Sequence, residues 1–378
     1  MKKTYITYTN CVTPLGFSVT QNTQALAQGV TGINLHNTSF AEAPFYAGII
    51  DDAQLHNAFT PLDDGGQYSR LEKMLLLALA PVIQQSGIKP GGRTGLIIST
   101  TKGNITALQH NDEQKAALPA LAQTLARFFG FVTESVIVSN ACVSGILAVS
   151  VAKRLLQAGV YDDIFVVAGD EVSEFVISGF NSFQAMSSTP CRPYSSQRDG
   201  ITIGEAAAAA FITVNPQNAK ATISGDGAIN DANHISGPSR TGEGLVRSIQ
   251  SALAEAGLAA NSIDYISAHG TATLYNDEME AIAFNRAGLG HVPLNSLKGY
   301  YGHTLGASGL LEAVIAVEAL ANGELYPSLG YTENGVTQPV NIITEYSKKP
   351  LQRILKTASG FGGCNTAVVF EKTGNGSW

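Results

Sequence analysis

The chain has 378 residues, of which 44% are hydrophobic and only 14% are charged, and it contains 39 glycines. This composition excludes a disordered or coiled-coil protein and suits two domains, or two halves of one large fold, built from tightly stacked layers. A net charge of −7 argues against a nucleic-acid-binding protein that acts through a general basic field. The four cysteines lack metal-type or disulfide-framework spacing, and no segment approaches about 18 continuous apolar residues, so we expect a reducing cytoplasm and no membrane span.

The first half of the chain alternates strand and helix patterns. Ser69 is a predicted N-cap, with Glu72 completing a capping box, for a helix that runs to Gln85. Residues 30–66 are rich in Asn, Asp and Gly and are predicted to be an irregular surface excursion. The other predicted elements are strands at 5–8, 95–100, 136–138, 163–169 and 206–213, helices at 19–28 and 146–158, a mainly helical segment at 103–130, and a polar segment with a short helix at 170–200.

The second half repeats the first in outline. A turn near 214–220 predicts a boundary that divides the chain into residues 1–215 and 216–378. Beyond it we predict strands at 221–225 and 263–268 and before Asn295, helices at 241–256, 276–287 and 306–321, and a Gly-rich turn followed by a closing strand at 357–370. Each half contains a strand, a turn with one reactive residue, and an apolar helix that ends at a glycine. Because such helices lie between layers, we expect the two turns to meet at a shared centre.

The turn of the first half contains Cys142, between the β-branched run Val136-Ile137-Val138 and an apolar helix. A cysteine at a helix N-terminus has a lowered pKa, because unpaired N–H groups and the helix dipole favour an anion, so we expect a thiolate accessible near neutral pH. A buried structural cysteine is the alternative that this stretch leaves open.

Two histidines lie where ligand-facing groups are common. His269 follows a predicted strand, and His303 lies in a Gly-flanked turn before the second apolar helix. They suit a base or donor beside a thiolate, although two structural histidines would have the same flanks. We expect no metal, since no Cys or His lies at short ligand spacing from either histidine. The turn at 360–363 lacks a full dinucleotide-binding pattern, and residues 306–309 lack a spacer residue of a serine hydrolase motif.

A series of ordered motifs gives the chain a family resemblance. They are Asn140-Ala141-Cys142-Val143-Ser144-Gly145, Arg192-Pro193-Tyr194, Arg198-Asp199-Gly200, Gly204-Glu205, His269-Gly270-Thr271-Ala272-Thr273, Asn276-Asp277, Lys298 through Ser308-Gly309, and Gly360-Phe361-Gly362-Gly363-Cys364-Asn365. With these motifs the chain resembles elongating β-ketoacyl-acyl-carrier-protein synthases of the condensing-enzyme superfamily. The resemblance implies an α/β, thiolase-like fold with two similar halves in an α-β-α-β-α arrangement.

The resemblance also implies a role for each matching residue. Cys142 is the expected acyl-accepting nucleophile, His269 and His303 complete a Cys-His-His set, and Lys298 orients the site. Phe361 matches a gating phenylalanine, and the backbone N–H groups of Cys142 and Phe361 match an oxyanion hole. Thr271 and Thr273 match substrate-binding positions. Glu312 would join the polar network, although a structural role for an acid in an apolar helix explains it nearly as well.

The expected reaction condenses an acyl thioester with malonyl-acyl-carrier protein and needs no cofactor beyond the carrier's pantetheine arm. The expected partners are an acyl-carrier protein and a second subunit, either identical or a ketosynthase paralogue. Arg70 and Lys73 are candidates for docking the acidic carrier, and a solvated helix face is the equal alternative. A shortened segment between Met186 and Arg192 leaves acyl specificity open. Two other functions stay open: a non-catalytic chain-length-determining subunit and an acyl-thioester hydrolase.

Overall fold

The computed structural model describes residues 2–38, 41, 43–232, 235 and 237–374. Its helices are α1 (Val19–Ala27), α2 (Asp52–Phe59), α3 (Arg70–Ser86), α4 (Glu113–Ala116), α5 (Leu118–Phe129), α6 (Ser144–Gln157), α7 (Glu174–Ser182), α8 (Glu243–Ala256), α9 (Leu274–Arg286), α10 (Lys298–Tyr301) and α11 (Ser308–Asn322). Its strands are β1 (Tyr5–Val12), β2 (Ile33–His36), β3 (Phe45–Gly48), β4 (Thr94–Ser99), β5 (Val136–Val138), β6 (Asp163–Asp170), β7 (Ile203–Gly204), β8 (Ala206–Thr213), β9 (Ala221–Asn230), β10 (Tyr265–Ser267), β11 (Pro293–Asn295), β12 (Glu324–Leu325), β13 (Asn341–Ile342), β14 (Ser347–Lys348), β15 (Arg353–Gly360) and β16 (Cys364–Lys372).

Eleven of the described strands form one mixed sheet, in the order β13-β11-β10-β15-β16-β9-β1-β8-β6-β4-β5. The halves meet where β1 pairs with β9 through Tyr5–Thr222 and Ile6–Ala221. In the first half β4, β5 and β6 are parallel, and in the second half β10, β11 and β15 are parallel. The predicted division between residues 215 and 216 falls between β8 and β9, and it stays a prediction because both halves share the sheet.

The central layer of the fold is the helix pair α6 and α11. Strand β8 shows how the layers are built. Alternate residues from Ala206 to Ile212 face the core around α6 and α11, and the residues between them face a second core with α3 and α5. On the other side of the molecule, α8 and α9 cover the outer face of the second half. The predicted α/β arrangement of five layers is therefore confirmed.

Two glycines let the central helices touch along their backbones. A Cβ atom on Gly145 of α6 would lie 2.6 Å from the backbone nitrogen of Leu310, and one on Gly309 of α11 would lie 2.5 Å from that of Ile146. Both distances are shorter than any ordinary carbon–nitrogen contact. The starts of α6 and α11 are therefore held together, and with them the turns that contain Cys142 and His303.

The prediction of an irregular excursion over residues 30–66 is wrong. This segment contains β2, β3 and α2, and β3 pairs with the distant β7 through Ala47–Ile203. Short strands of this kind depend on a partner that lies far away in the sequence. The capping box is confirmed, since Ser69 and Glu72 exchange side-chain and backbone hydrogen bonds at the start of α3.

The segment Leu305–Asn322 is long and apolar enough to cross a membrane, with a mean hydropathy of 1.4, but 89% of it is buried inside the protein. Burial on all sides is typical of a core helix in a soluble protein.

Candidate active site

The nucleophile turn connects β5 to α6 through a strained backbone. Ala141, directly before Cys142, has a φ of +44°, a left-handed conformation that costs free energy for any residue with a side chain. Ser144 holds the turn in place: its hydroxyl accepts a hydrogen bond from the Asn140 N–H at 2.7 Å and donates one to the Ala141 carbonyl at 2.6 Å. Cys142 lies two residues before Ser144, the first residue of α6, and so beside the helix N-terminus, as predicted.

The expectation of a thiolate near neutral pH is wrong for the free protein. Burial raises the pKa of Cys142 to about 11, which outweighs the lowering by Lys102, Lys298 and the backbone N–H of Phe361. The side chain is only 9% exposed, and the cost of burying a charge exceeds the effect of the helix N-terminus. The sulfur thus keeps its proton at rest and needs a base when it reacts.

His269 follows β10 and is fixed by a carboxylate and an ammonium group. The Glu280 carboxylate accepts the backbone N–H groups of His269 and Gly270, at 2.9 and 2.6 Å. Lys298 Nζ lies 3.3 Å from Nδ1 of the imidazole and donates to the His269 carbonyl at 2.5 Å. Since an ammonium group only donates, Nδ1 is the acceptor and the ring proton lies on Nε2. The outer nitrogen of His269 is therefore a hydrogen-bond donor.

His303 reaches the site from a turn held by the strand segment around β7. Its N–H donates to the Thr202 carbonyl at 2.6 Å, and its carbonyl accepts the Gly204 N–H at 3.0 Å. Nδ1 lies 2.8 Å from the Ser308 hydroxyl, which can donate or accept and so allows either ring tautomer. Nε2 is buried and has no hydrogen-bond partner within the described part of the chain. A buried nitrogen without a partner is costly, so a site for a ligand atom is indicated.

Cys142 lies 127 residues before His269 and 161 residues before His303 in the sequence, yet the three side chains converge on one point. The Cys142 sulfur and one ring nitrogen from each of His269 and His303 lie within 4.8 Å of one another, and the two rings meet edge to face with centroids 5.1 Å apart. The pKa of each imidazole is well below its usual value, first because of burial and next because of Lys298. Both histidines are therefore neutral near pH 7.

Spacing along the sequence did not reveal that these groups could surround a metal ion. A Cys-His-His set with ligand atoms this close has the composition of an incomplete zinc site. The chemistry of His269 does not fit, because a metal on Nε2 requires the proton on Nδ1, where Lys298 already donates. The prediction of no metal therefore gains a physical argument, although it stays a prediction.

Behind His269 lies a row of buried charges. Glu312 on α11 accepts a hydrogen bond from Lys298 at 2.7 Å and another from Lys356 on β15 at 2.5 Å. Both lysine side chains are fully buried, and that of Glu312 is 3% exposed. The structure therefore places Glu312 in contact with Lys298, as expected, and adds a second lysine.

A cavity of about 360 Å³ opens in front of the sulfur and both imidazoles. Thr271 and Thr273 line it, and their hydroxyl oxygens lie 2.9 Å apart. Phe361 lines the mouth, with its ring 5.9 Å from that of Phe180 and 5.6 Å from that of Phe183 on or next to α7. The predicted substrate-binding residues thus share one cavity with the nucleophile, while their roles stay predictions.

The two candidate docking residues lie elsewhere. Arg70 pairs with the buried Glu205 carboxylate, with Asp52 and with the Ile50 carbonyl. Lys73 lies over the ring of Phe59, 5.7 Å from its centroid. Carrier docking stays a prediction for both, and charge reversal of Arg70 would also break a structural ion pair.

Several residues that shape this site were missed in the sequence. Ser308, Glu280 and Lys356 reveal their roles only through contacts between distant elements. Lys356 did leave a signal, because it is a lone charge inside the run Ile354-Leu355-Lys356-Thr357-Ala358. A buried strand that retains one lysine needs a partner for it.

Comparisons with known proteins agree over the length of the chain. Residues 2–217 match the family model described as "Beta-ketoacyl synthase, N-terminal domain", and residues 220–332 match the one described as "Beta-ketoacyl synthase, C-terminal domain". The chain is 28% identical to "Putative 3-oxoacyl-[acyl-carrier-protein] synthase, mitochondrial" of Schizosaccharomyces pombe, covering 98% of this chain and 99% of that protein. It is also 28% identical to "Putative polyketide beta-ketoacyl synthase 1" of Streptomyces halstedii, over 97% of both chains.

Solved structures show the same fold. The chain is similar to a structure described as "Ketosynthase (ApeO) in Complex with its Chain Length Factor (ApeC)" from Xenorhabdus doucetiae, with a TM-score of 0.86, 26% identity and coverage of 98% of both chains. A structure of a "Beta-ketoacyl synthase" from Burkholderia phymatum matches with a TM-score of 0.87 and 24% identity, over 99% of this chain and 100% of that chain. These matches confirm the thiolase-like fold.

Proposed function

Because the chain belongs to the β-ketoacyl synthase family, we propose that it condenses an acyl thioester with malonyl-acyl-carrier protein, with loss of carbon dioxide, in fatty-acid or polyketide biosynthesis. The motifs predicted this family, and the two family models confirm it. The observation that carries the proposal is the convergence of Cys142, His269 and His303 at one cavity. A hydrolase or a non-catalytic subunit gives no comparable reason for two neutral imidazoles beside the thiol.

In the first half-reaction, the Cys142 sulfur attacks the carbonyl carbon of the acyl thioester. Since burial keeps the proton on the sulfur, a base must take it. A ring nitrogen of His303 lies within 4.8 Å of the sulfur, and Nε2, which has no other partner among the described residues, is free to act as that base. The backbone N–H groups of Cys142 and Phe361 stabilise the oxyanion. The tetrahedral intermediate then expels the carrier thiolate, which takes the proton back from His303, and the acyl group stays on Cys142.

In the second half-reaction, the thioester carbonyl of malonyl-carrier faces the two imidazoles. His269 donates from Nε2, because Lys298 occupies Nδ1. His303 donates from Nε2 in the tautomer whose Nδ1 accepts a hydrogen bond from the Ser308 hydroxyl. The bond to the carboxylate breaks, carbon dioxide leaves, and the electron pair forms an enolate whose oxygen these donors stabilise. The enolate carbon attacks the acyl-Cys142 carbonyl, the sulfur leaves as a thiolate while the β-ketoacyl product forms, and a proton taken up from water restores the resting thiol.

No cofactor is needed in these steps beyond the carrier's pantetheine arm. Thr271 and Thr273 line the entrance and offer hydroxyl groups to its amides, and Phe361 closes the mouth over the acyl group. The partner is therefore an acyl-carrier protein. By analogy with the Xenorhabdus ketosynthase and its chain length factor, the second subunit is a ketosynthase paralogue or a second copy of this chain. We place the reaction in the cytoplasm.

The test is a panel of acyl-carriers of different chain length, incubated with the protein and malonyl-carrier and followed by product and intact-protein mass. We expect an acyl adduct on the wild type, none on Cys142→Ala, and a β-ketoacyl product that depends on malonyl-carrier. His269→Ala should retain the adduct and lose the product. Free acid without product would instead support a hydrolase, and absence of any adduct with every carrier would support a non-catalytic subunit.

A further inference from the structure

Lys356 is a buried lysine that none of the proposed steps uses. It lies on β15, four residues before Gly360, and its side chain is fully buried. We propose that Lys356 is a positioning residue of the condensation: its ammonium group gives the Lys298–Glu312–Lys356 row a net positive charge that sets the protonation and orientation of His269 and His303. This inference rests on the function proposed above.

Hydrogen-bond geometry identifies Lys356 as an ammonium group. Its Nζ lies 2.5 Å from a Glu312 oxygen, 2.7 Å from the Thr357 carbonyl, and 3.2 and 3.4 Å from the carbonyls of Ser267 and Ala268. All four neighbours are acceptors, so each ammonium proton has a partner, whereas a neutral amine would leave its lone pair without a donor. Lys298 likewise donates to two acceptors, the His269 carbonyl and the Glu312 carboxylate.

The position of Lys356 couples it to His269 through the backbone. Ser267 and Ala268 are the two residues directly before His269, and Lys356 holds both of their carbonyl groups. Lys298 holds the carbonyl and Nδ1 of His269 itself. Glu312 connects the two ammonium groups. One carboxylate therefore fixes two cations that together hold the whole strand end from which the imidazole projects.

The Lys298–Glu312–Lys356 row, taken by itself, contains two ammonium groups and one carboxylate. Glu312 neutralises one of the two lysines, and the Glu280 carboxylate is hydrogen-bonded to backbone N–H groups, Tyr194 and Asn276. The groups that face the row and the imidazoles from neighbouring elements are Lys102, Cys142, Asp170, Tyr265, Asp277, Glu280, Lys298, Glu312 and Lys356. Burial is the first cause that lowers the pKa of His269 and of His303, and the ammonium groups of Lys298 and Lys356 lower it further, because a third cation beside them is unfavourable.

This arrangement serves the step in which negative charge appears. A neutral imidazole donates from Nε2 without transferring its proton, and a nearby surplus cation favours the enolate oxygen that forms between the two rings. A single Lys–Glu pair would fix Nδ1 of His269 equally well but would contribute no net charge. The second lysine therefore changes the electrostatics of the site and not only its geometry.

The test is the titration of both histidines in ¹⁵N-histidine-labelled protein, followed by NMR from pH 8 down to the lowest pH at which the protein stays folded, and assigned with His269→Asn. The test variant is Lys356→Met, with Lys356→Gln as a second neutral replacement. The control is Lys153→Met, which removes an equally buried lysine that pairs with Asp226 and Glu255 near the far end of α6. Thermal unfolding checks that each variant folds.

We expect the pKa of His269 and of His303 to rise by about one unit in the Lys356 variants, in line with the loss of one nearby charge, and to stay unchanged in Lys153→Met. In the plot of condensation rate against pH, the acidic limb should shift to higher pH by the same amount. The kcat should fall about tenfold with little change in KM for malonyl-carrier. Histidine titrations equal to those of the wild type would overturn the proposal, as would unfolding of both neutral variants. Because the titration needs no turnover, it is independent of whether the wild type condenses any substrate tested.

Discussion

Removal of the Glu312 charge tests the energetics of the buried row most directly. In Glu312→Gln the amide retains one acceptor, but two fully buried ammonium groups lose the carboxylate that lies 2.7 and 2.5 Å from them. Breaking a buried ion pair from one side costs about 3–5 kcal/mol, because the remaining charge stays buried without compensation. Since one carboxylate serves two cations here, we expect a loss of unfolding free energy at the upper end of that range.

The pH dependence of this loss has a definite sign. Burial already lowers the pKa of Lys356 in the wild type, and removal of the carboxylate lowers it further. A lysine whose folded pKa lies below its unfolded value of about 10.4 destabilises the fold fully below the folded pKa. The penalty is relieved as pH rises from the folded towards the unfolded value. Glu312→Gln should therefore be closer to wild-type stability at pH 9.5 than at pH 7.

Urea unfolding at these two pH values measures both effects. Glu318→Gln is a matched control on the same helix. Its carboxylate also accepts a hydrogen bond from Thr9, but its lysine partner, Lys220, is 32% exposed and stays solvated after the change, so this variant should lose less unfolding free energy than Glu312→Gln. Adding Lys356→Met to Glu312→Gln removes one uncompensated cation and should restore roughly half of the loss. A Glu312→Gln protein as stable as its Glu318→Gln control, or a double variant weaker than the single, would refute the reasoning.

Two further results are expected at the nucleophile turn. In the resting wild type, the rate of Cys142 alkylation by iodoacetamide should rise about tenfold per pH unit between pH 7 and 9, because the pKa of the Cys142 thiol is about 11. A rate that is constant over that range would show a thiolate and contradict the effect of burial. Ser144→Ala removes two hydrogen bonds of the strained turn, so the variant should lose about 1–2 kcal/mol of unfolding free energy. Acylation of its Cys142, followed by mass spectrometry, should also be slower. Cys142 should be acylated at the wild-type rate in the control Ser150→Ala, whose substitution lies in the same helix.

Local signals in the sequence predicted much of the fold. The capping box at Ser69 and Glu72 occurs as expected, and the Ala-rich strand at 206–213 has the predicted bounds. Both depend on contacts between residues close in the chain or on burial of a continuous apolar run. The meeting of Cys142 with His303 could also be anticipated, because the repeated strand–turn–helix pattern implies a common centre, whereas His269 was assigned to the same site by the family resemblance.

Features that depend on distant partners could not be predicted in this way. Strand β3 is short and pairs with the nearby β2 along one edge, but the pairing of its other edge needs β7, about 150 residues later. The protonation of Cys142 was mispredicted for a related reason: a helix N-terminus can be read in a sequence, but the depth of burial that opposes it cannot. The partner of Lys356 likewise lies 44 residues away on another element.

The two halves of the fold share a plan but supply different chemistry to the site. The first half contributes the nucleophile on a strained turn, and the second contributes both imidazoles and the charged row. Their relative position is set where α6 and α11 touch through Gly145 and Gly309. Because Cys142 lies three residues before one glycine and His303 six before the other, backbone contact between the helices fixes the distance between thiol and imidazole. A rigid core contact, rather than a flexible loop, therefore determines whether the proton of Cys142 can reach its base.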